Sequence, residues 1–295
     1  MAREDWNRPP LQPVEEGYKR FALKVSYDGR AFNGWQRQKN GIGVEQVIEK
    51  ALFKMLKEPI RIIGAGRTDS GVHAIGQFCH FETSHTNIPA RAFLSVINCN
   101  LPPTIRILKC DEVDGSFHSR YSAFAREYKY YFKRENEMTA TDNGFISKAK
   151  SLPSVDLLNS FAKYLLGTHD FTTFTSTGDV SPSKCRDIYE SYWTMEKDKW
   201  GYDLLVYTIC GNAFLYKMVR SLVGTQMVFA YKKKTPEEFK EILDSKNRKR
   251  AETTASPNGL FLYRISYDKD EYKWFEETAI SVGSLVNKDG DKQNN

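Results

Sequence analysis

Two hydrophobic periods alternate along the chain between residues 18 and 267. Residues 21–27 carry Phe21, Leu23, Val25 and Tyr27 on alternate positions, which predicts a strand. From 44 to 56 the apolar residues Val44, Val47, Ile48, Ala51, Leu52 and Met55 follow the 3.6-residue spacing of a helix face. Short strands at 60–63 and 77–81, a helix over 89–97 and a strand at 105–110 complete a β-α-β-β-α-β order. That order is the split βαβ plan of ferredoxin-like domains, which also underlies common RNA-binding modules.

A second unit repeats the mixture. It opens on an alternating stretch over 123–133, continues through a helix at 155–166, and returns to strands at 185–195 and 202–210 around a Trp200-Gly201 turn. Helices fit 214–231 and 236–243, the latter with Thr235 as N-cap and Glu238 closing a capping box, and 260–267 makes a last strand. The expected fold class is therefore α+β: two ferredoxin-like (RRM-like) halves joining into a central mixed, mostly antiparallel sheet with a cleft between them. The expected divisions are an arm over 1–17, halves over 18–115 and 116–267, and a charged tail over 268–295, in which Trp274 and Phe275 offer a docking segment.

Composition changes this picture little. The chain has 295 residues, 40% hydrophobic and 27% charged, as expected for one or two coupled domains. The long apolar run at 214–231 is interrupted by Lys217, Arg220 and Gln226, so no stretch suits a membrane, and the first residues lack an apolar signal region. A cytoplasmic location is expected. Cys79, Cys99, Cys110, Cys185 and Cys210 form no paired motif and read as buried reduced thiols. The five histidines show no ligand spacing, so neither a metal nor a cofactor is expected. The net charge is +6, with basic clusters at Lys129, Lys133 and Arg134, at Lys232 to Lys234, and at Lys246, Arg248, Lys249 and Arg250. Such clusters suit a polyanion or simply a solvated face.

The chemistry concentrates at Gly64-Ala65-Gly66-Arg67-Thr68-Asp69-Ser70-Gly71-Val72-His73. Gly64, Gly66 and Gly71 permit tight turns and close approach of a ligand, while Arg67 and the hydroxyls of Thr68 and Ser70 offer donors around the Asp69 carboxylate. Taken alone, the loop also fits a plain connector with a solvated Arg67–Asp69 pair.

This stretch, followed by Gly76-Gln77-Phe78-Cys79-His80-Phe81, resembles the active-site segment of the tRNA pseudouridine synthase A family. The resemblance continues in order through Tyr27-Asp28-Gly29, Gly34-Trp35-Gln36-Arg37-Gln38, Arg126-Glu127-Tyr128-Lys129-Tyr130, Gly167-Thr168-His169-Asp170-Phe171, the segment from Asn212 to Arg220, and Gly259-Leu260-Phe261-Leu262, covering roughly 19 to 267. It implies the pseudouridine synthase fold and an isomerase that converts uridine to pseudouridine in the tRNA anticodon stem-loop, at tRNA positions 38, 39 and 40. Asp69 takes the catalytic role by this resemblance. Arg220, flanked by Met218, Val219, Leu222 and Val223, becomes its buried partner cation, and Tyr128 the aromatic under the target base. Arg67 becomes the guanidinium that fills the place of the extracted base, Leu260 the apolar pocket wall, and Arg37 an RNA contact at the cleft rim.

Lys129, Arg186, Lys217 and Arg248 are candidate contacts to the tRNA backbone. A homodimer is implied, with each tRNA touching both subunits. Two departures from the family pattern are mild: Ser70 often stands as Ala, and Tyr216-Lys217 replaces the usual histidines. Competing readings are the same chemistry on other tRNA positions or other RNAs, and a non-catalytic tRNA-binding or folding module. An aspartate-nucleophile hydrolase is disfavoured, because no Asp-x-Asp pair accompanies Asp69.

Overall fold

The computed structural model describes residues 13–268; the first arm up to residue 12 and the tail from 269, including Trp274 and Phe275, lie outside the described residues. The first half runs β1 (Lys19–Tyr27), α1 (Val44–Leu56), β2 (Ile63–Gly64), β3 (His73–Thr83), α2 (Ala90–Asn100) and β4 (Ile105–Val113). The second runs β5 (Ala125–Arg134), β6 (Ser147–Ala149), α3 (Val155–Ala162), β7 (Gly167–Asp170), β8 (Cys185–Lys197), β9 (Asp203–Gly211), α4 (Met218–Tyr231), α5 (Pro236–Asp244) and β10 (Leu260–Ser266).

The strands form one sheet in the order β4-β1-β3-β10-β5-β9-β8-β7, with β2 on β3 and β6 on β5. Each half thus carries the ferredoxin-like order. In the first, β4-β1-β3-β2; in the second, β10-β5-β9-β8. The join lies on a single edge of β3. Its start pairs in parallel with β10, through Phe261 opposite His73 and Leu262 opposite Ala74, and its end pairs antiparallel with β2, through Ile63 opposite His80. Between these two pairings the loop from Ala65 to Val72 leaves the sheet, and the cleft opens there.

Period-2 burial places Phe21, Leu23, Val25 and Tyr27 of β1 in the same hydrophobic cluster as Tyr128, Tyr130 and Phe132 of β5, so one core runs through both halves. The expected capping box forms at α5, where Thr235 accepts from the Glu238 N–H and Glu238 accepts in return from Thr235.

Several sequence expectations need correction. The strand expected at 60–63 shrinks to Ile63–Gly64, because the Ile62 N–H is taken by the Glu49 carboxylate instead of a neighbouring strand. The helix expected from 214 starts at Met218, because Lys217 takes a left-handed conformation with φ of 59°. Lys133 is no surface charge: it is fully buried between Asp142 at 2.9 Å and Asp198 at 2.7 Å. Cys99 and Cys185 are exposed, whereas Cys79, Cys110 and Cys210 are buried as free thiols. Among the described residues no helix is long and apolar enough to cross a membrane, and no group of three or more His, Cys, Asp or Glu is arranged to hold a metal.

Candidate active site

The loop after β2 is fastened twice to β3 before it reaches Asp69. The Ala65 N–H donates to the Phe78 carbonyl at 2.8 Å and the Gln77 side chain donates to the Gly66 carbonyl at 2.8 Å. Beyond Asp69 the chain turns at once, with the Val72 N–H on the Asp69 carbonyl and Gly71 at φ of +80°, a conformation that side-chain-bearing residues rarely adopt. Gly64 serves close packing, since a Cβ there would lie 2.3 Å from the Trp35 indole nitrogen; its neighbour is this tryptophan, not a ligand. A Cβ on Gly66 would meet nothing within 4 Å, so neither space nor φ demands glycine there.

The hydroxyls of this loop also turn out to have other partners. Thr68 pairs with the Tyr27 hydroxyl at 2.7 Å, and Ser70 donates to the Phe32 carbonyl at 3.2 Å. They hold the loop instead of surrounding the carboxylate. Asp69 finds its cation across the cleft: Arg220 Nη1 donates to Asp69 Oδ2 at 3.0 Å, with the side chains only 13% and 18% exposed respectively. Arg220 is itself aimed by its Nε, which donates to the Ala255 carbonyl at 2.8 Å, while the Ala255 N–H returns to the Arg220 carbonyl.

A cleft of about 790 Å³ gathers Arg67, Asp69, Tyr128, Lys217, Arg220 and Leu260, five of them named above for catalysis or base binding and one for RNA. Tyr128 is 8% exposed and meets Phe214 edge-on with ring centroids 5.1 Å apart. Burial, and then the negative charge of Asp69, push its phenol well above the ordinary value, so it holds its proton at neutral pH. Leu260, buried, opens β10 at the cleft, while Arg67 is exposed within it.

The remaining candidates stand elsewhere. Arg37 pairs with Glu49, which also anchors Ile62, and is not among the residues lining the cleft, although Gln36 and Gln38 are. Arg186 is only 4% exposed and donates to the carbonyls of Ser183 and Cys185, so burial removes it from a phosphate's reach. Lys129 alternates with Tyr128 along β5 and therefore faces the opposite side of the sheet, its ammonium 4.4 Å from the Tyr263 ring centre. Arg248 is outside the cleft lining and ties the Ala251 carbonyl and Thr254 hydroxyl.

Two residues that sequence reasoning did not single out hold the site together. Arg126, on the same strand face as Tyr128, donates to the carbonyls of Ala65, Arg120, Ala123 and Asn212, lashing the loop's base to the second half. His73 is fully buried; its Nδ1 accepts from the Gly29 N–H and its Nε2 lies 2.9 Å from the Gly144 carbonyl. The signal for Arg126 was present, since it stands two residues before Tyr128 in an alternating strand.

A mostly antiparallel sheet built from two ferredoxin-like halves, with an Asp–Arg pair and a buried tyrosine lining a cleft at their seam, defines a class of α+β proteins with a central cleft. The sequence profile described as tRNA pseudouridine synthase matches residues 24–122 and 161–268. The tRNA pseudouridine synthase A of Treponema denticola is 39% identical over 270 residues, covering 90% of this chain and 99% of the relative. That of Bacillus pumilus is 40% identical over 246 residues, covering 83% of this chain and 97% of the relative. The chain belongs to the tRNA pseudouridine synthase family.

Proposed function

We propose that this chain isomerises uridine to pseudouridine in the tRNA anticodon stem-loop, at tRNA positions 38, 39 and 40, with Asp69 as the catalytic residue. The observation that carries the reading is the meeting of Asp69 and Arg220 at 3.0 Å inside the cleft, the first from a loop of one half and the second from the first turn of α4 in the other. The paired Asp69 and Arg220 stand in the cleft with Tyr128 and Leu260, which supply a flat aromatic and an apolar wall for a pyrimidine.

The reaction needs no group donor and no redox step. The bond from N1 to C1′ breaks with its electron pair leaving on the base, the base turns, and C5 bonds to C1′. The C5 proton is lost, and N1 takes one up. Asp69 can act on this path either by attacking carbon and being displaced when C5 bonds, or by removing the C2′ proton and returning it. Tyr128 enters with its proton on and is placed to take part in the final proton movement. Lys217, on the cleft, is the basic candidate best placed for phosphate. Two chains acting on one tRNA, as the family resemblance implies, belong to the same proposal and are read by sedimentation of the purified protein. A cytoplasmic setting goes with a tRNA substrate.

Asp69→Asn keeps size and polarity but can neither attack carbon nor accept a proton. Release of tritium from C5-labelled uridine in tRNA should be abolished while filter binding of that tRNA changes by no more than about threefold. Turnover by the variant would remove Asp69 from this role, and an equal loss of binding would make it a loop-holding residue only.

A further inference from the structure

Val180 is 89% exposed, against 59% for Trp200, the next most exposed large hydrophobic side chain among the described residues. It belongs to the segment Gly178–Ser181, which lines the cleft from the second half, while Arg67 lines it from the first. A single exposed valine on a loose loop carries no meaning. This loop is not loose. The Asp179 carboxylate accepts from the Ser181 N–H at 2.9 Å, the Tyr216 N–H at 2.7 Å and Lys184 Nζ at 2.5 Å. Lys184 also donates to the carbonyls of Asp179 and Ser181, and the Ser176 N–H reaches the Tyr216 carbonyl at 3.1 Å. Asp179 is therefore pinned to the segment leading into α4, Ser181 is pinned in turn to Asp179 and Lys184, and the apolar side chain between the two is held in water at the mouth of the cleft.

We infer that Val180 is an apolar wedge for RNA, which rests against the face of the base stacked next to the target uridine when that uridine leaves the stem. The inference rests on the proposed uridine isomerisation. Extraction of a paired base breaks stacking and pairing, at a cost lower for a mismatched base. An apolar side chain can cover an exposed base face without demanding a hydrogen bond, as wedge residues do when they part base steps in duplexes. Arg67 then fills the place the base vacated, and Val180 shields the neighbour that lost its stacking partner.

The test compares Val180→Ala and Val180→Leu with the unaltered protein on two transcripts of one tRNA, one with the target uridine paired and one with its partner base changed to a mismatch. The readout is the ratio of single-turnover rates, paired over mismatched. In V180A this ratio should fall on the order of tenfold, because the wedge matters most where extraction is costly, while V180L keeps the original ratio. A ratio unchanged in V180A overturns the wedge, whether both rates fall together or neither does. Failure of the unaltered protein to convert either transcript overturns the isomerase reading itself, a result distinct from the ratio and one that removes the wedge with it.

Discussion

At the scale of single residues the site depends on one guanidinium doing two jobs. Arg220 points one nitrogen at Asp69 and another at the Ala255 carbonyl, so its position is set by main chain as well as by charge. Lysine keeps the charge but has no rigid fork to satisfy both at fixed angles. Arg220→Lys should lower the single-turnover rate by about tenfold or more, and Arg220→Met further, with tRNA binding little changed in a filter assay. A lysine variant of full rate would show that charge alone suffices. The loop of Asp69 was legible as a candidate from its own residues, although a plain connector fitted them too, but the pairing of Asp69 with Arg220 was legible only through the family resemblance, since no periodicity relates positions so far apart in the chain. The fates of Arg186 and Lys133 were not legible, because a basic residue reads the same whether its strand face meets water or a neighbouring loop.

At the scale of elements, α4 and the segment after α5 act as one support. A Cβ at Gly224 would lie 2.0 Å from the Thr253 carbonyl oxygen and 3.0 Å from the Ala255 nitrogen, so this helix lies directly against the strip that anchors Arg220. Gly224→Ala should destabilise the protein by about 1–3 kcal/mol through overpacking, and should slow catalysis beyond what the lost stability explains. Thermal melting and single-turnover rates at a temperature where the variant remains folded separate the two effects; an unchanged melt would mean the strip yields freely. The elements themselves were mostly readable. Amphipathic periods located α1, α2 and α5, and alternation located β1, β5, β8 and β9. The start of α4 was misread because Phe214 and Leu215 continue the apolar pattern, while the left-handed turn at Lys217 leaves no mark in a hydrophobic period. The short strands β6 and β7 were missed for a related reason: three or four residues are too few to show a period.

At the scale of the whole molecule, histidines make stability depend on pH. Burial, with smaller contributions from His118 and Arg20, pushes His80 down to about 3, and burial also lowers His73 and His118. The unfolded chain therefore binds these protons first. Stability is full above about pH 6.5 and falls as pH drops through the window below it, by about 2 kcal/mol at pH 5 from His80 alone. Urea midpoints at pH 8 and pH 5 check this, and His80→Asn should flatten the difference; an equal difference in the variant would place the cause elsewhere. Carboxylates held low, such as Asp142 and Asp198 beside Lys133, add their loss only as pH falls below about 4. The shared edge of β3 has a consequence for how the molecule is made. Because β10 is the last described strand in the chain and fills the gap between β3 and β5, the two halves can each collapse during synthesis while their sheets stay apart. Until residues 260–266 leave the ribosome, the stretches of β3 and β5 that β10 covers present unpaired edges of the kind that recruit foreign strands, and the halves meet only through contacts such as that of Arg126 with the Ala65 carbonyl. The sheet that joins the two halves is therefore the last part of the described fold to be supplied by the growing chain.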